Sequence, residues 1–530
     1  MKRIYFLTYL FLVTLFAYAA KPTNILFIHM EDMGCQIPAY GDMTQETPHL
    51  SQLAKEGLTV ETANVTAPTC ASSRGSLFTG LYPHQNGIMG FIKMHGFDYH
   101  EGTPTFIQAL KKKGYATAIS YKTGVSPESY VPFDEIYNYA KDPLDGNKAS
   151  NHKVTNCINA FEHFLMNRAK DDKPFYFQAQ TNDTHTPWRP PYEPIKGMET
   201  RFGFHPIKAE QIDLKNFPQL NVEGVKINTK AKEFLALYYG AIQRTDYYVG
   251  QILGLLKKYG HEDNTLVIFT ADHGPSHVFK GKTTPYEFGL RVPFIVKWPG
   301  KVKPNSKTKN MVSFVDLAPT FLEVAGAEVP NHLPGSSLVP TFTQGRKVRD
   351  YLFSAYVSHT TGKYEYWPAR TIRGERYKLI HHLIAHKGGR EKKEHGIVEE
   401  ALNETEAGRA IVHNFYHPQQ YELFDLQNDP GESVNLYDNP QYKKIRDDLK
   451  AKLENWGQNV VKDPFLKKDY LDAFTLDYYK GCQEFDSVRK KYGKSFKSSP
   501  DLKTWRIDKQ QWIHTFDPSI YGLSESTFSE

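Results

Sequence analysis

Cysteine is nearly absent from this 530-residue chain, which has only Cys35, Cys70, Cys157 and Cys482. So little cysteine excludes a disulfide scaffold; if one thiol is consumed by modification, at most one bridge is left, between partners the sequence does not choose. Internal repeats and low-complexity tracts are missing too, which excludes solenoids and compositionally driven disorder. No charge of one sign dominates: 65 Lys and Arg stand against 59 Asp and Glu, a formal charge of +6. That surplus tolerates a polyanionic ligand without requiring one, and no nucleic-acid partner is expected. Beyond the amino terminus no apolar run is long enough to cross a bilayer, so stable membrane insertion is not expected.

The amino terminus itself has a basic start at Lys2 and Arg3, an apolar run from Ile4 to Ala17, and a small-residue site at Ala17-Tyr18-Ala19. This is the pattern of a secretory signal, and residues 1–19 are read as a signal peptide. An exported bacterial protein, periplasmic or secreted, is expected. Oligomeric state is not legible. Aromatic residues are plentiful, with 33 Tyr and 33 Phe, a supply that suits sugar-binding platforms and large cores alike.

Apolar strands alternate with helices through the first two thirds. Strands are expected at Asn24 to Met30, Tyr115 to Tyr121, Pro174 to Gln180, Thr265 to Thr270 and Val292 to Trp298. Helices are expected after Thr47-Pro48, with Thr47 as the cap, after Thr103-Pro104, and from Ala231 to Tyr259. Strands buried on both faces between capped helices imply an α/β fold with a large, mostly parallel sheet. The catalytic α/β domain is read as residues 20–345. Shorter strands at Tyr351 to Tyr356, Ala369 to Ile372, Tyr377 to His381 and Tyr421 to Asp425, with a helix from Tyr442 to Trp456, imply a smaller α+β domain with an antiparallel sheet over 346–462. Residues 463–530 read as an irregular tail.

In a parallel sheet, ligands sit beyond the carboxyl ends of the strands. Glu31-Asp32, Lys122, Asp183-Thr184-His185 and Asp272-His273 all follow strand ends. Three carboxylates and an imidazole, Glu31, Asp32, Asp272 and His273, suit a hard divalent ion such as Ca²⁺, with Mg²⁺ or Mn²⁺ possible. Each acidic pair alone is an ordinary strand exit or turn; their pairing carries the argument. Residues 70–80 read Cys-Ala-Ser-Ser-Arg-Gly-Ser-Leu-Phe-Thr-Gly. Cys70 stands at a helix start whose N–H groups would face an anion, and Arg74 lies one turn on. Lys122, His185 and Lys282 are candidates for binding an oxyanion and protonating a leaving group.

The order of these motifs resembles that of the type I, formylglycine-dependent sulfatases of the alkaline-phosphatase-like superfamily. It runs through the acidic pair, Cys-x-x-Ser-Arg with Thr-Gly, a lysine after the third strand, His185-Thr-Pro, Asp272-His-Gly and Lys282 before Tyr286-Glu-Phe-Gly-Leu-Arg-Val-Pro. It ends at Tyr421-Glu-Leu-Phe-Asp with Asp429-Pro-Gly-Glu, so the likeness spans Thr23 to Leu436. Leu81-Tyr-Pro-His-Gln-Asn-Gly, Pro132-Phe-Asp and the stretch from His359 to Arg370 are most similar to the heparan N-sulfatase (sulfamidase) branch. The resemblance implies that a formylglycine-generating maturation enzyme converts Cys70 to 3-oxoalanine, whose hydrate attacks sulfur and then expels sulfate by regenerating the aldehyde. It implies Glu31, Asp32, Asp272 and His273 as metal ligands, Cys70, Arg74, Lys122, His185 and Lys282 as catalytic, and a sulfated saccharide as substrate. His359 and Arg370 are implied as substrate contacts. O-sulfate esters, including those of algal ulvan or carrageenan, and N-sulfate both stay open.

The chain departs from the family pattern in four places. Ser72 replaces the usual Pro or Ala, Glu31 the usual Asp, and His273 the usual Asn. The Gly-Lys-x-His that follows the third strand appears as Ser120-Tyr121-Lys122-Thr123, without its histidine. These departures keep two alternatives in view: a phosphoester or phosphonate monoester hydrolase of the same fold, and a non-catalytic glycan-binding relative.

Overall fold

The structure, a computed structural model, describes residues 21–92, 97–138, 153–168, 171, 173–188, 206–360, 365–390 and 396–501. The expected signal peptide, 1–19, lies outside them. Eight strands build the main sheet: β1 (Asn24–Met30), β2 (Leu58–Val60), β3 (Ala116–Ser120), β4 (Glu135–Tyr137), β5 (Phe175–Ala179), β6 (Thr265–Ala271), β7 (Phe294–Lys297) and β8 (Ser306–Thr308). Their spatial order is β8-β2-β7-β6-β1-β5-β3-β4. Neighbours run parallel except where β7 meets β2 and β6. β1 and β6, side by side at the centre, are buried along their whole length, as expected of a sheet covered by helices on both faces.

The strand expected at Val292 to Trp298 is broken at Pro293, which has no N–H for a ladder bond. Arg291–Val292 joins a small sheet with Ala63–Asn64 and Val312–Ser313, and β7 continues in the main sheet. Helix α1 (Pro48–Glu56) starts where expected, but Thr47 makes no side-chain cap bond. Its first-turn N–H groups are satisfied by Asp246, whose carboxylate accepts from Leu50 at 2.7 Å and His49 at 3.3 Å. Asp246 belongs to the 30-residue helix Thr229–Lys258, capped by Asn228, which accepts from Ala231 N at 2.9 Å. A capping partner so distant in sequence leaves no local signal.

The smaller sheet is an antiparallel meander of β9 (Leu352–Tyr356), β10 (Ala369–Arg373), β11 (Tyr377–His382) and β12 (Tyr421–Asp425). A helix at Lys443–Asn455 lays Leu449 and Leu453, followed by Trp456, against Ile372 and Leu379. The expectation of an irregular tail is corrected here. A 25-residue helix spans Lys468–Tyr492, and Leu471, Phe474, Tyr478 and Cys482 pack against Phe97, Met89, Val357 and Trp367. Its buried apolar and aromatic residues lie on one helical face. Residues 502–530 lie outside the described ones. All four cysteines are free thiols, and among the described residues no helix is long and apolar enough to cross a membrane.

The junction between sheet and tail is expected to be acid-sensitive. His84 is buried beside Tyr82 and Trp456. Burial lowers its pKa to about 4, against a smaller raising effect of Asp463. The folded chain therefore refuses a proton that the unfolded chain accepts below its ordinary value. This contribution to stability is complete above roughly pH 6.5 and is lost as pH falls toward 4, on the order of 3 kcal/mol in all. Melting temperatures measured across that window should fall less steeply with acid in His84→Gln than in the wild type; an unchanged slope would rule this group out.

Candidate active site

The site begins with strand register. Met30 of β1 pairs with Ala271 of β6, so the two strands end together and Glu31 emerges beside Asp272. Asp272 N donates to the Met30 carbonyl at 2.9 Å, and Asp32 N donates to Asp272 Oδ1 at 3.0 Å. Asp32 adopts φ 50°, in the left-handed region that aspartate tolerates better than most residues. Thr184, beyond the end of β5, donates its hydroxyl to the Glu31 carbonyl. Lys122, beyond β3, forms an ion pair with Glu31 Oε1. The expected collection of polar groups on one rim is present.

Cys70 is the first residue of a helix, Cys70–Thr79, behind an extended Thr69 that makes no side-chain cap bond. The first-turn N–H groups of such a helix have no intrahelical acceptor and favour an anion. Cys70 Sγ lies 3.2 Å from His273 Nε2 and 3.2 Å from Lys282 Nζ. Lys282 Nζ also reaches Asp32 Oδ1 at 3.0 Å. Its loop is sharply folded, with His277, Lys280 and Thr283 at φ 60°, 59° and 69°, and Thr283 N donates to the Pro68 carbonyl at 2.7 Å. That bond ties the lysine's loop to the chain just before Cys70.

Arg74 stands one turn after Cys70, among the residues that the resemblance implies as catalytic. It is fully buried, and its donors go elsewhere: Nε and Nη2 to Asp272 Oδ2 at 3.2 and 3.1 Å, Nη2 to Glu31 Oε1 at 3.5 Å, and Nη1 to Gln180 Oε1. The guanidinium clamps the two acidic clusters together. Gln180, which the sequence reading overlooked, is held by Ser120 and also donates to the Lys122 carbonyl at 3.0 Å. Its position just past a strand end was the available signal. Gly124, two residues after Lys122, stands where the missing histidine would be. With φ 74°, a Cβ there would lie 2.6 Å from Arg74 Cδ. Arg74 takes up that room, and the imidazole that meets the thiol is His273.

Electrostatics follow from these contacts. Burial opposes ionisation of Asp272, but His273 and Arg74 hold its carboxyl well below the usual range. Burial likewise opposes the charge on Asp32, yet Lys282 and His273 keep it lowered. Desolvation pulls His273 down, while Asp272, Cys70 and Asp32 raise it to about 9. Lys282 is desolvated too, but Asp32 and Cys70 raise it, so it stays an ammonium.

The same residues fit a divalent cation. One donor atom each of Glu31, Cys70 and Asp272 lie within 4.8 Å of one another, as do those of Asp32, Cys70 and His273. Glu31 Oε2 is buried with no hydrogen-bond partner among the described residues, a costly state for an anionic oxygen that a hard cation would relieve. His273 Nδ1 lies 2.9 Å from the Gly274 carbonyl. With Nδ1 donating to that oxygen, Nε2 is the atom that would face a cation once the ring, protonated in the cation's absence, gives up its proton.

Lys282, His185 and His359 line a cavity of about 580 Å³, which Lys282 links to Cys70 through its 3.2 Å contact with Sγ. His359 is also bonded to Thr69, next to Cys70. Arg370 is a correction. It is 0% exposed and salt-bridged to Asp463, with Nη2 on Oδ1 at 3.1 Å, beneath the smaller sheet, where no substrate can touch it.

The chain is similar to known proteins over most of its length. The family described as Sulfatase matches residues 23–327, and that described as N-sulphoglucosamine sulphohydrolase, C-terminal, matches 275–389 and 393–459. An ulvan-active sulfatase of Formosa agariphila is 29% identical over 508 residues, 89% of either chain. The N-sulphoglucosamine sulphohydrolase of Homo sapiens is 28% identical, over 84% of this chain and 92% of its own. A solved structure described as in complex with its substrate D-glucosamine-2-N,6-O-disulfate superposes with a TM-score of 0.62 at 20% identity, covering 84% of this chain and 100% of that one.

Proposed function

The chain belongs to the sulfatase family, and from that premise we propose that it hydrolyses sulfate groups of a sulfated saccharide with Cys70 matured to 3-oxoalanine. In this reading Glu31, Asp32, Asp272 and His273 hold a divalent cation, Ca²⁺ first, with Mg²⁺ or Mn²⁺ as alternatives. The observation that carries it is Cys70 Sγ, at a helix start, 3.2 Å from both an ammonium and an imidazole beside three buried carboxylates. The exported location read from residues 1–19 belongs to the same proposal, as does a formylglycine-generating maturation enzyme.

When present, the aldehyde hydrate supplies a nucleophilic oxygen at the position of Sγ, and the cation supplies positive charge to a sulfate oxygen. The chain's own residues do the rest. The first-turn N–H groups of the Cys70 helix hold sulfate oxygens. Lys282, anchored by Asp32, places a fixed positive charge where the leaving atom gains electrons as its bond to sulfur breaks. His185, whose Nδ1 lies 2.6 Å from the Thr186 carbonyl, gives that atom a proton from Nε2 when the ring enters the step as the imidazolium. Relatives named as sulfatases favour sulfate over phosphate, and His273 beside the thiol weakens the case for a non-catalytic relative. The relatives' named substrates, ulvan and N-sulfated glucosamine, support a sulfated saccharide without choosing between ester and sulfamate.

Mass spectrometry of the Cys70 peptide from active protein tests the reading: maturation lowers its mass by about 18 Da. Active protein carrying an intact thiol would end the proposal.

A further inference from the structure

The cavity in front of Lys282 contains a cation that hydrolysis of a lone sulfate does not use. Arg390 is 8% exposed and lines that cavity. Its guanidinium carbon lies 4.6 Å from the Phe415 ring centroid and 5.1 Å from that of Trp367, and its backbone N donates to the Tyr416 carbonyl at 2.7 Å. Stacking and the backbone bond fix where the side chain stands. Nε and Nη2, which form one edge of the guanidinium, are buried with no hydrogen-bond partner among the described residues. Two carboxylates also line the cavity, but they are engaged: Glu365 accepts from Thr360 N at 2.8 Å, and Glu399 from the Tyr416 hydroxyl at 3.0 Å. Glu422, an acid whose field reaches Arg390, is bonded to Tyr286 at 2.9 Å and His382 at 2.8 Å.

A desolvated guanidinium with two adjacent donors unmet is costly, and the group that meets both at once is a planar or tetrahedral oxyanion bound side-on. We propose that Arg390 is a specificity-determining residue that binds a second anionic group of the substrate, a sugar carboxylate or a second sulfate, while the reacting sulfate lies at Cys70. The proposal rests on the sulfatase reading and narrows it: the substrate carries at least two anions within one cavity's span, and neutral sugars bearing a single sulfate are poor substrates.

The test compares matched disaccharides of sulfated glucosamine joined to glucuronate, to the carboxyl-reduced sugar, and to that reduced sugar bearing a sulfate. Wild-type enzyme should prefer one of the anionic members over the reduced member by at least about tenfold in kcat/KM, chiefly through KM. Arg390→Leu should bring that ratio close to one, and Arg390→Lys, which keeps charge but loses the two-donor edge, should give an intermediate ratio. Because the ratio is taken on one preparation, partial misfolding cancels. Which member is preferred tells carboxylate from sulfate. No preference in the wild type, or a preference that survives Arg390→Leu, overturns the proposal while leaving sulfate hydrolysis standing. If the wild type hydrolyses none of them, calorimetric binding of the same disaccharides decides: loss of affinity for the anionic members in Arg390→Leu sustains the subsite, and equal affinity refutes it.

Discussion

Cys70→Ala is expected to lower kcat/KM on an aryl sulfate by about 10⁴-fold or more, the loss typical of removing a covalent nucleophile. Sγ is the atom on which Lys282 and His273 converge, and alanine leaves nothing there to attack sulfur. The fold should survive, because the side chain is small and its removal costs about 1 kcal/mol. Cys70→Ser is the sharper variant. A serine hydroxyl can accept a sulfuryl group, but its carbon has no second oxygen with which to expel it, so at most one equivalent of product should appear in a burst. Steady turnover by either variant, at even a tenth of the wild-type rate, would place the nucleophile elsewhere.

How far the sequence reached depended on how local each signal is. The alternation of buried strands and helices announced the α/β sheet, and the strand-end rule placed Glu31, Asp32, Lys122, His185, Asp272 and His273 on one rim before any register was known. What was hidden was whatever depends on a distant partner. Asp246 replaces Thr47 as the cap of a helix almost two hundred residues earlier. Arg370 lies in a stretch that resembles a substrate-binding region, yet it faces Asp463, whose position nothing nearby predicts. The helix at Lys468–Tyr492 escaped notice because its charged face is dense and its aromatic face has meaning only against Phe97 and Trp367. The missing histidine looked like a defect in sequence order. In space, Arg74 crowds the Cβ position at Gly124, and the imidazole beside Cys70 Sγ is that of His273. Arg74 is a further case: spacing puts it one turn from Cys70, and only the fold shows that its donors go to the buried carboxylates of Asp272 and Glu31.

Asp272→Asn should remove both sulfate hydrolysis and the stabilisation of the protein by divalent cations, the second being a readout that needs no substrate. In the wild type, Ca²⁺ at a hundredfold excess over its dissociation constant should add about 2.7 kcal/mol of stability, visible as a rise in melting temperature. Asp272 is central to that effect. Its Oδ1 lies 3.4 Å from His273 Nε2 and accepts from Asp32 N, and its Oδ2 holds Arg74. An asparagine there keeps the shape but removes one of three carboxylate charges and leaves Arg74 with Glu31 as its remaining anion. A guanidinium that loses a buried counter-charge costs roughly 3–5 kcal/mol, so the variant should melt lower without added metal and respond little to Ca²⁺, Mg²⁺ or Mn²⁺. A thermal shift with Ca²⁺ as large in Asp272→Asn as in the wild type would move the cation away from these strand ends. The pairing of Glu31–Asp32 with Asp272–His273 would then be an ion-pair network that stabilises the sheet rim and nothing more.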